Sequence, residues 1–302
     1  KVSIAAVLDA IGVSVIEAGS ACTGQSEREA IKQIVELGLT AKITSFARGI
    51  QSDIDDALDC DVDGITLVVP SSDRHVTDKV RTTREDVISN STSLIDYAKD
   101  HGIWLELLGE DGSRADIDFL ESLMQSGIDA GADWICWADT VGYASPEQAY
   151  SAVSRLSKIG PTSTHTHDDL GLAVSNVLAS ISGGALMVHA TVNGIGERSG
   201  NVALEEVAIA LHHCYGIGTV SLDGLYNLAQ LVSRATGVSL PPNKAVIGEN
   251  AFTHESGIHT DGILKDDRMY EPYPPELVGR GRRLAVGKHI GRAGARAALE
   301  EH

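Results

Sequence analysis

From its first residues to about residue 217, the chain alternates amphipathic helical stretches with short apolar runs rich in β-branched residues. Strands are expected near Val15–Glu17, Ala41–Phe46, Gly64–Val69, Ile103–Leu108, Trp134–Ala138, Thr162–His165 and Met187–Val192. Helical patterns separate them, at Glu27–Leu37, Ile54–Leu58, Arg84–Asp100, Ile117–Ala130, Pro146–Lys158, Leu172–Ser182 and Val202–Tyr215. Such alternation argues a parallel sheet, and continuous apolar strands argue one covered on both faces. Seven strands are one short of a (β/α)8 barrel. Lys1 lies inside a helical pattern (Val2, Ile4, Ala5, Leu8, Ile11), so this reading places the first barrel strand upstream of residue 1. A doubly wound open sheet is the rival, but it calls for a glycine-rich turn after an early strand. Gly194-Ile195-Gly196 comes too late for that. The fold expected is α/β: a TIM (β/α)8 barrel over residues 1–217, lacking its first strand, then a small helical subdomain over residues 218–302.

After residue 217 the pattern changes. Val220–Gly237 reads as one or two helices, Gly248–His259 as a loop, Glu271–Pro275 as an extended linker and Ala293–Glu301 as a last helix.

Polar residues collect at the ends of the expected strands. They are Glu17, then Glu110 with Asp111, Asp139 with Thr140, the group His165, His167, Asp168 and Asp169, and finally Asn193 with Glu197 and Arg198. In barrels the catalytic face is the one at the C-terminal ends of the strands. Helix N-capping accounts for Asp139 or Thr140 singly, but poorly for two histidines and a Glu-Arg pair. On a strand, i and i+2 side chains share a face. His165 and His167 therefore converge on one point, as a divalent metal requires. Two ligands are too few, so Asn201, Glu197 or a residue of the unseen strand is expected to join them. Two histidines among oxygen donors suit Mg, Mn or Zn. Gly194, Gly196, Glu197 and Arg198 precede a helix, whose first amides could hold a phosphate or carboxylate; a plain glycine-rich turn is the alternative. Glu110 is a candidate acid or base, or else an ion-pair partner of Arg114. His259 is a candidate base on a mobile loop, or else a hydrogen-bonding loop residue.

Charge narrows the partners. Lys and Arg number 24 against 42 Asp and Glu, a net −18. Such a surface repels phosphate backbones, so nucleic acid is not an expected partner. With 9 of the 24 cations being Lys, the balance also suits a salt-rich, halophilic cytoplasm. The four cysteines, Cys22, Cys60, Cys136 and Cys214, are scattered without a CxxC pair, as reduced cytoplasmic thiols usually are. No apolar run of ~18 residues suggests a membrane span.

Taken together, these motifs resemble the acetyl-CoA-dependent 2-isopropylmalate, citramalate and homocitrate synthases, a family of metal-dependent TIM barrels. The match rests on Gly109–Arg114 (GEDGSR), Asp139–Tyr143 (DTVGY), His165–Gly171 (HTHDDLG) and Val192–Asn201 (VNGIGERSGN). Asn250–Gly262 (NAFTHESGIHTDG) with Tyr270, and Gly287–Arg292 (GKHIGR), extend it beyond the barrel. The resemblance implies metal ligation by His165 and His167 with Asn201 nearby, and a keto-acid carboxylate on Thr140. It further implies an active-site Glu110, a substrate-pocket His75, and acetyl-CoA deprotonation by His259 with Tyr270. The family's Asp-Thr-Thr-Leu-Arg-Asp-Gly-Glu-Gln motif, with its metal-binding Asp and substrate-binding Arg, is absent, in line with the unseen strand. The C-terminal regulatory domain that many members carry does not lie within residues 1–302. Leu108 replaces a Ser found in many isopropylmalate synthases, which suits a small apolar pocket. Glu106 stands where homocitrate synthases would carry an Arg, which disfavours 2-oxoglutarate. The expected activity is therefore condensation of acetyl-CoA with a 2-oxo acid by a cytoplasmic homodimer. The first choice is 2-isopropylmalate synthase (2-oxoisovalerate, leucine biosynthesis). Citramalate synthase (pyruvate) is the alternative, and homocitrate synthase comes last. A metal-dependent aldolase or lyase on the same barrel, or a non-catalytic paralogue, would be the reading from another class.

Overall fold

Seven strands run parallel in the order of the sequence, each paired with the next: β1 (Val15–Gly19), β2 (Lys42–Arg48), β3 (Gly64–Pro70), β4 (Trp104–Glu110), β5 (Trp134–Asp139), β6 (Thr162–Thr166) and β7 (Met187–His189). This is a computed structural model that describes residues 1–291 and 295–296. A doubly wound sheet reverses its strand order at a switch point; here the order never reverses. The register also creeps along the sheet. Lys42 pairs back to Val15, but Thr44 pairs forward to Gly64, and Glu106 rather than Trp104 pairs with Trp134. Stagger of this kind tilts the strands of a barrel. Among the described residues β1 and β7 are the two edges. The architecture is the expected TIM-barrel type.

Helices alternate with the strands: α1 (Val2–Ala10), α2 (Gln25–Val35), α3 (Gln51–Leu58), α4 (Arg84–Asp100), α5 (Ile117–Asp129), α6 (Pro146–Leu156), α7 (Ala173–Ser182) and α8 (Leu204–Tyr215). Local chemistry fixes their starts. Thr83 and Asp116 cap α4 and α5 by accepting backbone N–H groups, and Ser145 with Gln148 forms a capping box behind Pro146. The helices pack their apolar faces on the outer side of the sheet, in one cluster that includes Ile31, Ile34, Leu105, Leu107, Leu120, Leu123 and Met124. With a period of two, the alternate residues Glu106, Leu108 and Glu110 of β4 face inward. Leu108 joins Val68, Cys136 and Ala138 in a separate small cluster.

β7 ends three residues earlier than the sequence suggests, because the chain turns at Val192–Gly194 with Asn193 at φ 65. The segment after β3, left unassigned by sequence, is a π-helix over Arg74–Val80. Contacts divide the chain into two units, Lys1–Val207 and Ala208–His302, with the break inside α8.

The second unit carries α9 (Leu225–Thr236), β8 (Thr253–His254) paired in parallel with β9 (Arg283–Leu284), and α10 (Gly257–Lys265). Two expectations are corrected here. The stretch Gly248–His259 is not all loop, since it supplies β8 and the first turn of α10. Glu271–Pro275 is not a free linker either: Glu271 and Pro275 are buried, and Pro275 opens a short 3-10 turn. The expected last helix lies outside the described residues, apart from Ala295 and Arg296. Among the described residues no helix is long and apolar enough to cross a membrane.

Candidate active site

Strand C-termini in a parallel sheet share one face, and the polar loops gather there. β4 delivers Glu110, the turn after β5 Thr140, β6 His165 and then His167, and the loop after β7 Asn201. The Nε2 atoms of His165 and His167 lie 3.1 Å apart. Two nitrogens each ~2.1 Å from one ion, at a right angle, would stand ~3 Å apart. Asn201 is drawn beside His167 by a backbone bridge, and its Oδ1 is buried without a hydrogen-bond partner among the described residues. The Nδ1 of His167 is likewise unpartnered. Burial, helped by His189 and His167, drives the His165 imidazole down to about 3, so it is a neutral donor. Burial, then Arg198, also lowers His167. Two neutral imidazoles meeting at their Nε2 atoms, with an orphaned amide oxygen on the residue bridged to His167, are a donor set that fits a divalent cation.

Glycine is required in the loop that presents Asn201. Gly200 sits at φ +96, and a Cβ there would lie 2.0 Å from the carbonyl oxygen of Gly194. Gly200→Ala should cost about 1–3 kcal/mol and displace Asn201. A fall in both unfolding midpoint and metal affinity is expected; an unchanged affinity would remove Asn201 from the site.

The rest of the loop is more committed than the sequence suggests. α8 starts at Leu204, three residues beyond Asn201. The amides of Gly194, Ile195, Gly200 and Asn201 donate to carbonyls within or next to the loop, and that of Asn193 to Glu205. Arg198 donates twice to Asp169, at 2.8 Å each, and once to the Thr140 carbonyl at 2.8 Å. It is an internal clamp rather than a free cation. Gly196 closes over the Asn201 side chain, and the Glu197 carboxylate makes no hydrogen bond among the described residues.

Glu110 is held from the π-helix. Lys79 donates to both of its oxygens at 2.6 and 2.7 Å. The Nδ1 of His75 lies 3.1 Å from it, close but not aligned as a hydrogen bond. Arg114 does not pair with Glu110; it forks onto buried Asp111 at 2.8 and 2.9 Å. Asp111, at φ 67, also accepts from Ser72, and its own amide donates to the Thr140 hydroxyl at 2.8 Å. Thr140 keeps its hydroxyl hydrogen for another acceptor. Buried Asp139 caps its own turn, accepting from the amides of Tyr143 and Ala144.

Beneath the histidines the structure places residues that sequence reading misassigned or missed. Glu106 is not a pocket wall. It is 1% exposed, with its carboxylate bonded to His189 Nε2 at 3.1 Å, Thr66 Oγ1 at 3.3 Å and Ser163 Oγ. Burial is the largest single influence and opposes its charge, but His189, Ser163 and Thr66 together hold its carboxyl below the usual range. Burial likewise opposes protonation of His189, yet Glu106 raises it. Glu17 is exposed on the edge strand, yet protein crowding around its carboxyl raises its pKa, Glu106 adding and His189 opposing. Among the described residues, Glu106, Cys136 and His189 are a trio with mutual ligand-atom distances within 4.8 Å. Burial pushes the Cys136 thiol well up, and Glu106 and His189 already satisfy each other, so this trio is a poor soft-metal site. Lys79 and His189 carried no sequence signal beyond their proximity to His75 and to the VNG motif.

In the second unit, His259 lies in the first turn of α10 rather than on a mobile loop. Its ring stacks on Tyr270 at 4.1 Å between centroids and 20° between planes. Tyr270 fits against Gly262, where a Cβ would come within 2.4 Å of the ring. Behind them, buried His254 bonds Glu271 at 3.1 Å, and Arg282 forks onto the same carboxylate at 2.8 and 2.6 Å. The guanidinium of Arg282 holds the Glu271 carboxyl below its usual range.

Comparison with known proteins also gives two segments, with a boundary later than the one between the two units. A family model described as HMGL-like matches residues 1–233, and one described as homocitrate synthase post-HMGL domain-like matches residues 246–302. The (R)-citramalate synthase of Methanocaldococcus jannaschii is 47% identical over 295 residues, 97% of this chain and 60% of that protein. A homocitrate synthase of Methanopyrus kandleri is 44% identical over 304 residues, 100% of this chain and 77% of that protein. The chain spans about three fifths of the length of the citramalate synthase relatives. In fold, a hydroxymethylglutaryl-CoA lyase from Pseudomonas aeruginosa superimposes with a TM-score of 0.70 at 18% identity, covering 79% of this chain and 86% of that one.

Proposed function

The chain belongs to the HMGL-like family, and from that premise we propose that it is the catalytic part of a citramalate synthase, condensing acetyl-CoA with pyruvate. The observation that carries the reading is the 47% identity to a citramalate synthase across 97% of the chain. It moves the choice from 2-oxoisovalerate, the first expectation, to pyruvate. The post-HMGL match at residues 246–302 favours a synthase over a lyase, although the folds are alike. Glu106 no longer argues against 2-oxoglutarate, because its carboxylate is tied up inside the sheet. The argument for a small substrate passes to Leu108, packed with Val68, Cys136 and Ala138.

His165, His167 and Asn201 would hold a divalent metal, which supplies Lewis-acid polarisation of the 2-oxo carbonyl when bound. The Thr140 hydroxyl, with its hydrogen free, donates to the substrate carboxylate. His259, stacked on Tyr270, accepts the proton from the acetyl methyl group. The carbon so freed forms the new bond to the 2-oxo carbon. Water then cleaves the thioester, releasing CoA and citramalate. Glu110, fixed by Lys79, would accept a hydrogen bond from that water and orient it, while the new alkoxide takes its proton from water. A homodimer completes the reading.

CoA release measured with pyruvate, 2-oxoisovalerate and 2-oxoglutarate tests it. Pyruvate should lead 2-oxoisovalerate by about tenfold or more in kcat/KM, as pockets of this kind discriminate. Leu108→Ala should narrow that ratio. A preference for 2-oxoisovalerate or 2-oxoglutarate in the unaltered protein would overturn the assignment.

A further inference from the structure

The inward layers of a TIM barrel are dominated by bulky branched residues. The layer under His165 is instead polar: Thr66, Glu106, Ser163 and His189 come from four different strands. Glu106 bonds the other three, and Thr66 and Glu106 are register partners across β3 and β4. Burying a carboxylate here is unfavourable unless it is paired and fully hydrogen-bonded. Apolar residues of similar volume would serve stability as well or better. Such a layer therefore has a use besides holding the sheet together.

Its geometry shows what it touches. His165 and His189 are register partners across β6 and β7. The His189 ring meets the His165 ring edge-on, with centroids 5.7 Å apart and planes at 75°. The opposite side of His189 is anchored by Glu106 at 3.1 Å. Ser163, two residues before His165 on the same face of β6, binds the same carboxylate. The His165 ring thus lies against a partner that is itself tied to Glu106.

We propose that Glu106 and His189 are a positioning pair which fixes the His165 ring so that its Nε2 faces that of His167. This rests on the reading of those two histidines as metal ligands. Neither member of the pair would touch metal or substrate.

Cobalt(II) binding to the full chain, followed by affinity and by its visible ligand-field spectrum, tests the pair. Outer-shell partners of metal-binding histidines typically matter ~10–100-fold in affinity. Glu106→Gln and His189→Gln should therefore weaken cobalt about 10–100-fold and shift the spectrum in variants that remain folded. His189→Gln keeps an N–H for Glu106 while removing the ring that lies against His165. Should either fail to fold, Thr66→Val, which loosens Glu106 without altering any charge, should give a smaller weakening and shift of the same sense. Folded variants with unchanged affinity and spectrum overturn the proposal. So does a second cobalt per chain with a thiolate band lost in Cys136→Ser, because Glu106 and His189 would then be ligands themselves. If the unaltered chain binds no cobalt, or binds it unchanged in His167→Ala, the metal reading itself falls. If only the Glu106 and His189 variants leave binding untouched, the metal reading stands and the positioning role is refuted.

Discussion

His167→Ala is expected to abolish metal binding and turnover together in the complete protein. The argument is geometric. His167 and His165 present their Nε2 atoms 3.1 Å apart, and Asn201 is the remaining orphaned donor beside them. Removing one imidazole leaves a single nitrogen and an amide oxygen, too few for a tight site. Lewis-acid polarisation of the 2-oxo carbonyl is worth several kcal/mol, so kcat/KM should fall by about 10³-fold or more. Metal content by atomic absorption and thiol release from acetyl-CoA should disappear in parallel. Full activity without bound metal would refute the site.

His259→Ala should produce the opposite pairing of results, with turnover reduced by about 10²–10⁴-fold and metal content unchanged. His259 and Tyr270 belong to the second unit and the proposed metal donors to the first, so the two lesions are chemically separable. Tyr270→Phe keeps the stacked ring but removes the hydroxyl, and should fall between His259→Ala and the unaltered protein. Because His259 and Tyr270 are both exposed, neither change leaves a buried cavity. Hydrogen exchange of the acetyl methyl group is the direct readout. Turnover unaffected by His259→Ala would exclude it as the proton acceptor.

Much of this arrangement is legible in the sequence because it depends on short-range rules. The α4 range Arg84–Asp100 follows from its periodicity and the Thr83 cap. The meeting of His165 and His167 follows from strand alternation alone. What is not legible depends on register between distant strands. Glu106 looks like a pocket residue when counted along its own strand. Only the alignment of β3, β4, β6 and β7 reveals that Thr66, Ser163 and His189 consume its carboxylate. Lys79 is hidden for a different reason: a π-helix is needed to bring it to Glu110, and π-helices have no strong compositional mark. The helix carrying His259 is masked by Gly257 and Gly262, poor helix formers kept for close packing. Substrate choice is the least legible of all, since on the proposed reading it turns on a few side chains around Leu108.

The clamp of Arg198 has a consequence for how such an enzyme could change. By gripping Asp169 and the Thr140 carbonyl, Arg198 ties together the loops that follow three neighbouring strands. Those loops stand or fall as one piece, and grafting any one of them from a relative would unseat the others. Leu108, by contrast, is planted on a strand between Val68 and Cys136, outside that mechanical unit. On the proposed reading, 2-oxo acid preference can therefore be retuned one side chain at a time while the clamped loops stay in place.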